Sequence, residues 1–131
     1  MNDLTDEWVN KAENDFAAAE VTLYAQKGPI TDAVCFHSQQ CAEKYLKAFL
    51  QENRIRFEKT HVLAYLLDLC LTLDEDFKII ATDLAELDSY GVAIRYPGTN
   101  LTPDYAFRAF ETARRVRAFI RGKLNLAEKS G

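Results

Sequence analysis

Thr31-Asp32-Ala33-Val34-Cys35-Phe36-His37-Ser38-Gln39-Gln40-Cys41-Ala42-Glu43-Lys44-Tyr45-Leu46-Lys47-Ala48-Phe49-Leu50 reads as one long helix, and the rest of the chain is arranged around it. At about 100° per residue, Val34, Cys35, Ser38, Cys41, Ala42, Tyr45, Leu46 and Phe49 share one arc of about 140°. Small and large side chains alternate along that arc, so neighbouring helices can approach closely and interdigitate. The opposite side carries Gln40, Glu43, Lys44, Lys47 and Gln51. Phe36 and Leu50 fall on this polar side. They are either partly exposed apolar residues or a second buried face that meets another subunit.

The flanking segments repeat the helical pattern. Thr5 is the expected cap of a first helix running to about Gln26, with Asp6 and Glu7 where the helix dipole favours negative charge. Its stripe is Trp8, Val9, Ala12, Phe16, Ala19 and Leu23, and Gly28-Pro29 stops it. Thr31 is the expected cap of the central helix. Thr60 is the expected cap of a third helix, His61 to about Leu71, which is apolar on most sides. A fourth shows Phe77, Ile80, Leu84, Leu87, Gly91 and Ile94 and breaks before Tyr96-Pro97-Gly98. Thr102-Pro103-Asp104 opens a fifth, with Ala106, Phe110, Ala113, Val116, Ile120 and Leu124 as its stripe. From Ala127 onward the tail reads as frayed. No segment alternates with a period of two between hairpin turns. The expected fold is all-α, an up-and-down bundle of about five helices forming one domain over residues 1–131.

Composition narrows the function classes. The chain has 131 residues, 48% of them hydrophobic, with a net charge of -4, which argues against a generally basic nucleic-acid binder. The charge is unevenly spread: residues 1–26 sum to -5 and residues 95–123 to +5. Three cysteines without zinc-ligand spacing read as free thiols in a reducing compartment. The acidic start, Met1 to Glu7, has no apolar run like that of a signal peptide, and no stretch approaches the ~20 apolar residues that span a bilayer. The expected location is the cytoplasm.

Arg95 projects toward the inner edge of the fourth helix, and Asp88, seven positions earlier on the same edge, is placed to orient it. Arg117 lies amid the apolar stripe of the fifth helix, with Arg114 and Arg121 along one edge. A buried cation needs a partner. Arginines converging on a groove suit a phosphate, because each offers a planar fork of donors. The alternative is pairing inside the bundle with acids of the first helix such as Asp15 or Glu20. Glu58-Lys59-Thr60-His61 has the Glu-x-x-His spacing of di-metal bundles, but no second copy exists, so no metal and no cofactor is expected. No nucleophile elbow, phosphate loop or dinucleotide fingerprint is present.

Several of these residues together resemble the HEPN family, the helical domain named for higher eukaryotes and prokaryotes nucleotide-binding proteins. Trp8, Ala12, Glu13, Asp15 and Ala19 are similar to the family's opening helix. Phe36-His37-Ser38-Gln39-Gln40-Cys41-Ala42-Glu43-Lys44-Tyr45-Leu46-Lys47-Ala48 is similar to its Gln-x-x-Glu-Lys-x-x-Lys-Ala helix. Thr60-His61, Tyr90 and Arg95-Tyr96-Pro97 complete the likeness, which spans roughly residues 6 to 125. The resemblance implies a homodimer, often encoded beside a minimal nucleotidyltransferase as a toxin–antitoxin-like pair. It also implies a metal-independent ribonuclease motif, an arginine followed after four to six residues by histidine. Here the eligible positions after Arg95 are Asn100, Leu101 and Thr102, and no histidine follows. The general acid–base partner of that motif is therefore missing. What the resemblance carries over is a non-catalytic nucleotide or RNA site at Tyr90, Arg95 and Tyr96. The arginine pattern adds Arg114, Arg117 and Arg121. A ribonuclease with altered chemistry and a purely structural interaction bundle are the alternatives.

Overall fold

Asn2 starts the first helix. Its side-chain Oδ1 accepts from the Thr5 amide at 2.8 Å, satisfying one of the orphan donors at a helix start. A computed structural model describes residues 1–98 and 100–127. It contains α1 (Asp3–Leu23), α2 (Thr31–Glu52), α3 (Leu63–Leu71), a 3₁₀ turn (Glu75–Ile80), α4 (Ala81–Arg95) and α5 (Pro103–Lys123). The architecture is the expected all-helical one, with no strand among the described residues. None of the described helices is long and apolar enough to cross a membrane.

The helix starts differ from the expected ones for local reasons. Thr5 lies inside α1, fully buried, with its hydroxyl 3.0 Å from Glu52 Oε1. The Asn2 amide also donates to Glu52, so the start of α1 is tied to the end of α2. Thr31 is the first helical residue of α2 and makes no side-chain cap. α3 begins at Leu63, not His61, because Thr60 Oγ1 accepts the Val62 amide and holds that turn outside the helix. The expected fourth helix divides: Asp74 caps a 3₁₀ turn over Glu75–Ile80, and the α-helix proper begins at Ala81. α4 does end before Tyr96-Pro97, and Pro103 does sit in the first turn of α5. The expected fraying at Glu128-Lys129-Ser130-Gly131 lies outside the described residues, whereas the carbonyl of Ala127 accepts from Arg121.

α2 is the axis of the bundle and contacts α1, α3, α4 and α5. The predicted stripes of α1 and α5 line the core, with Trp8 half-buried. The reading of α2 as one-sided is corrected. Its polar side is covered by α3 and the preceding loop, so Gln39, Glu43 and Lys47 are buried along with Leu50. Leu50 therefore needs no other subunit for its burial, which at this size contributes roughly 1.5–3 kcal/mol. Phe36 does remain exposed. Cys35, Cys41 and Cys70 are free and buried, and burial pushes each thiol well above its ordinary range.

Candidate functional site

The arginines of α5 divide by the carboxylate each one meets. Arg117 forms a two-pronged pair with Glu13 of α1, Nε to Oε2 at 2.6 Å and Nη2 to Oε1 at 2.8 Å. Its guanidinium also stacks 4.4 Å from the Phe16 ring, and only 7% of the residue is exposed. Arg121 donates to the Tyr45 hydroxyl at 3.1 Å and lies 4.0 Å from Glu13. Tyr45 in turn hydrogen-bonds Glu13. Burial alone would raise the Glu13 pKa, but the bonds from Arg117 and Tyr45 and the two arginine charges hold it below the usual carboxylate value. The partner of Arg117 is thus Glu13. Asp15 pairs instead with His37 at 2.8 Å and Lys44 at 2.5 Å. Arg114 is exposed, 3.5 Å from Glu111 and over the Phe110 ring.

Arg95 occupies a different part of the molecule. It lines a groove of about 330 Å³ between α2, the start of α3 and the end of α4, with Phe36, Gln39, Gln40, His61 and Val92 among its walls. Arg95 makes no ion pair among the described residues. Asp88 does not orient it: the two Asp88 oxygens accept the Leu63 and Ala64 amides at 3.1 and 3.2 Å, capping α3 from across the bundle. Tyr96 follows Arg95 and is 63% exposed. Tyr90 is buried against Tyr105 on the inner side of α4, and burial together with the nearby Glu86 carboxylate pushes its phenol up. The six candidate residues therefore do not form one cluster. Of the six only Arg95 lines the groove; Tyr96 is exposed at the end of α4, Tyr90 is buried against Tyr105, and Arg114, Arg117 and Arg121 lie on α5.

The groove is built on a polar network that spacing alone did not reveal. Glu43 is 2% exposed and bonds His61 Nδ1 at 2.9 Å and Lys47 Nζ at 3.0 Å. Lys47 sits 5.2 Å from the Trp8 ring centroid, a cation–π contact that helps satisfy its buried charge. Gln39 donates to the His61 carbonyl at 2.8 Å and fixes the backbone there. Because Lys47 also donates to the carboxylate, His61 offers its Nδ1 hydrogen inward. His61 is also one of the residues that line the groove. Glu58 lies in the loop, exposed, and shares no ligand geometry with His61.

The Gln-x-x-Glu-Lys helix and the Thr-His turn thus meet in space. A HEPN domain model matches residues 5–123. The chain belongs to the HEPN domain family. Solved structures share its fold over nearly the whole chain. TT1696 from Thermus thermophilus is 26% identical, with a TM-score of 0.71 over 91% of this chain and 97% of that one. ST0689, described as an archaeal HEPN homologue, is 27% identical, with a TM-score of 0.69 over 92% and 97%. Among curated proteins none matches. In this HEPN chain two residues that carry the family likeness, Gln39 and His61, line the Arg95 groove, and a third, Glu43, holds His61 from beneath.

Proposed function

We propose that this HEPN chain is a non-catalytic module that binds a nucleotide or an RNA phosphate in the groove beside Arg95. The observation that carries the reading is a guanidinium at a groove wall with no carboxylate partner among the described residues, while the α5 arginines are each paired. An arginine held this way keeps its fork of donors for an incoming anion. The apolar walls of Phe36 and Val92 suit a base, and Tyr96, next in sequence to Arg95, is exposed. The missing histidine after Arg95 supports binding without the family's chemistry. Exposed Phe36, Val62 and Val92 around the groove support a homodimer contact nearby. Pairing with a minimal nucleotidyltransferase in the cytoplasm rests on family membership.

Calorimetric titration with a nucleoside triphosphate tests the binding. Arg95→Ala is expected to weaken it about tenfold or more, and Arg114→Ala to leave it unchanged. Equal affinity in wild type and Arg95→Ala ends the reading.

One observation favours a second reading, a metal-independent ribonuclease with an altered site. His61, oriented by buried Glu43, shares the groove with Arg95 and has the base-plus-orienter arrangement of acid–base sites. Incubation with RNA in chelator decides it: cleavage lost in His61→Ala supports this reading, and no cleavage by wild type ends it.

A further inference from the structure

We propose that the loop between α2 and α3 is a phosphate track continuous with the Arg95 groove, so that the site takes a single-stranded nucleic acid several nucleotides long. This rests on the groove reading above and adds the substrate's length and strandedness.

Three independent features point to the loop. Charge is the first. Among the described residues, Arg54, Arg56 and Arg95 are the arginines without an ion pair to a carboxylate, and Lys59 is likewise unpaired. Arg54, Arg56 and Lys59 are all exposed on one ten-residue connection. In a chain whose net charge is -4, this is a local exception to a negative average.

The second is the backbone of Arg54. α2 ends in a cap where the Ile55 amide donates to the Leu50 carbonyl at 2.9 Å, which requires a left-handed residue at position 54. Arg54 adopts φ 58 there. Glycine or asparagine ordinarily fills such a position, and α5 closes the same way with Asn125, also at φ 58. At the end of α2 an arginine sits where the backbone favours a residue without a long side chain.

The third is rigidity. Phe57 packs against Trp8 at 6.2 Å between ring centroids, the Tyr65 hydroxyl accepts the Glu58 amide at 3.2 Å, and Gln39 holds the His61 carbonyl. The cations are therefore carried on a fixed connection, which lowers the ordering cost of binding. Lys59 lies two residues from His61, which lines the groove. From Arg54 to His61 the chain reaches at most about 25 Å, the scale of a few nucleotides. A base held in the groove must be unstacked, and single strands offer that where an RNA duplex hides its bases.

Fluorescence anisotropy with labelled uridine oligomers, from the mononucleotide to a dodecamer, tests the track. Affinity is expected to rise with length. The double variant Arg56→Ala/Lys59→Ala is expected to lose about tenfold on the dodecamer, leave the mononucleotide unchanged and flatten the salt dependence by about two phosphate contacts. Arg54→Gly removes a charge while relieving the left-handed backbone, so a weaker complex from this variant is not a folding defect. Mononucleotide binding with no gain on lengthening overturns the track and spares the groove reading. Equal binding of a hairpin duplex overturns the single-strand assignment. No binding of any probe overturns both.

Discussion

The buried carboxylate of Glu43 holds the imidazole of exposed His61 at 2.9 Å, joining the middle of α2 to the turn that opens α3. Lys47, four residues along α2, neutralises the same carboxylate. The pair fixes one wall of the Arg95 groove and gives a physical reason for finding both residues in one chain. Its two members should respond differently to mutation.

Glu43→Ala leaves Lys47 buried without its counter-charge. Breaking such a pair costs about 3–5 kcal/mol. His61→Ala removes a side chain that is 67% exposed, so its cost should stay at or below about 1 kcal/mol. Urea unfolding of both variants measures the difference, and equal losses would contradict this account of the network.

Asp88 caps α3 from another helix, and nothing local replaces it. Asp88→Ala should cost about 1 kcal/mol, as removal of a helix cap ordinarily does. The loss should be local: hydrogen exchange at the Leu63 and Ala64 amides should accelerate more than at the core amides of α2.

The Glu13 carboxyl has a lowered pKa in the folded chain. Its contribution to stability is therefore present above the ordinary carboxylate value of 4.5 and is lost as pH falls through the lower folded value. Glu13→Gln should be less stable than wild type at neutral pH, and its stability should fall less steeply on acidification below that value. Thermal melts across that range check the slope.

Leu50 and Phe36 both sit on the polar-patterned side of α2, yet one is buried and the other exposed. Leu50→Ala should cost about 2–5 kcal/mol. Phe36→Ala should change monomer stability by no more than about 0.5 kcal/mol. Slower sedimentation of wild type than of Phe36→Ala at equal stability would argue against a homodimer contact at the groove edge, and faster sedimentation of wild type would argue for one.

Most of the fold is legible in the sequence because α1 and α5 carry uninterrupted stripes, such as Val9, Ala12, Phe16, Ala19 and Leu23, that a 3.6-residue period exposes. The buried polar side of α2 is not legible. Glu43 and Lys47 read as solvated in a helical projection, and their covering partners His61 and Phe57 lie elsewhere in the chain. The same limit applies to Arg117. Its stripe position shows that it needs a partner, but Glu13 is 104 residues away and no local pattern selects it over Asp15. Arg95 stands out in the sequence as unusual for its helix, yet its expected partner Asp88 caps α3 instead. The left-handed cap at Arg54 is visible only in three dimensions.

Amide chemical-shift mapping during titration with a nucleoside triphosphate tests the central claim most directly. The account predicts that the largest shifts fall at Gln39, His61, Val92 and Arg95, with little change along the exposed side of α5. Shifts centred on Arg114 and Arg117, with the groove residues unmoved, would contradict it.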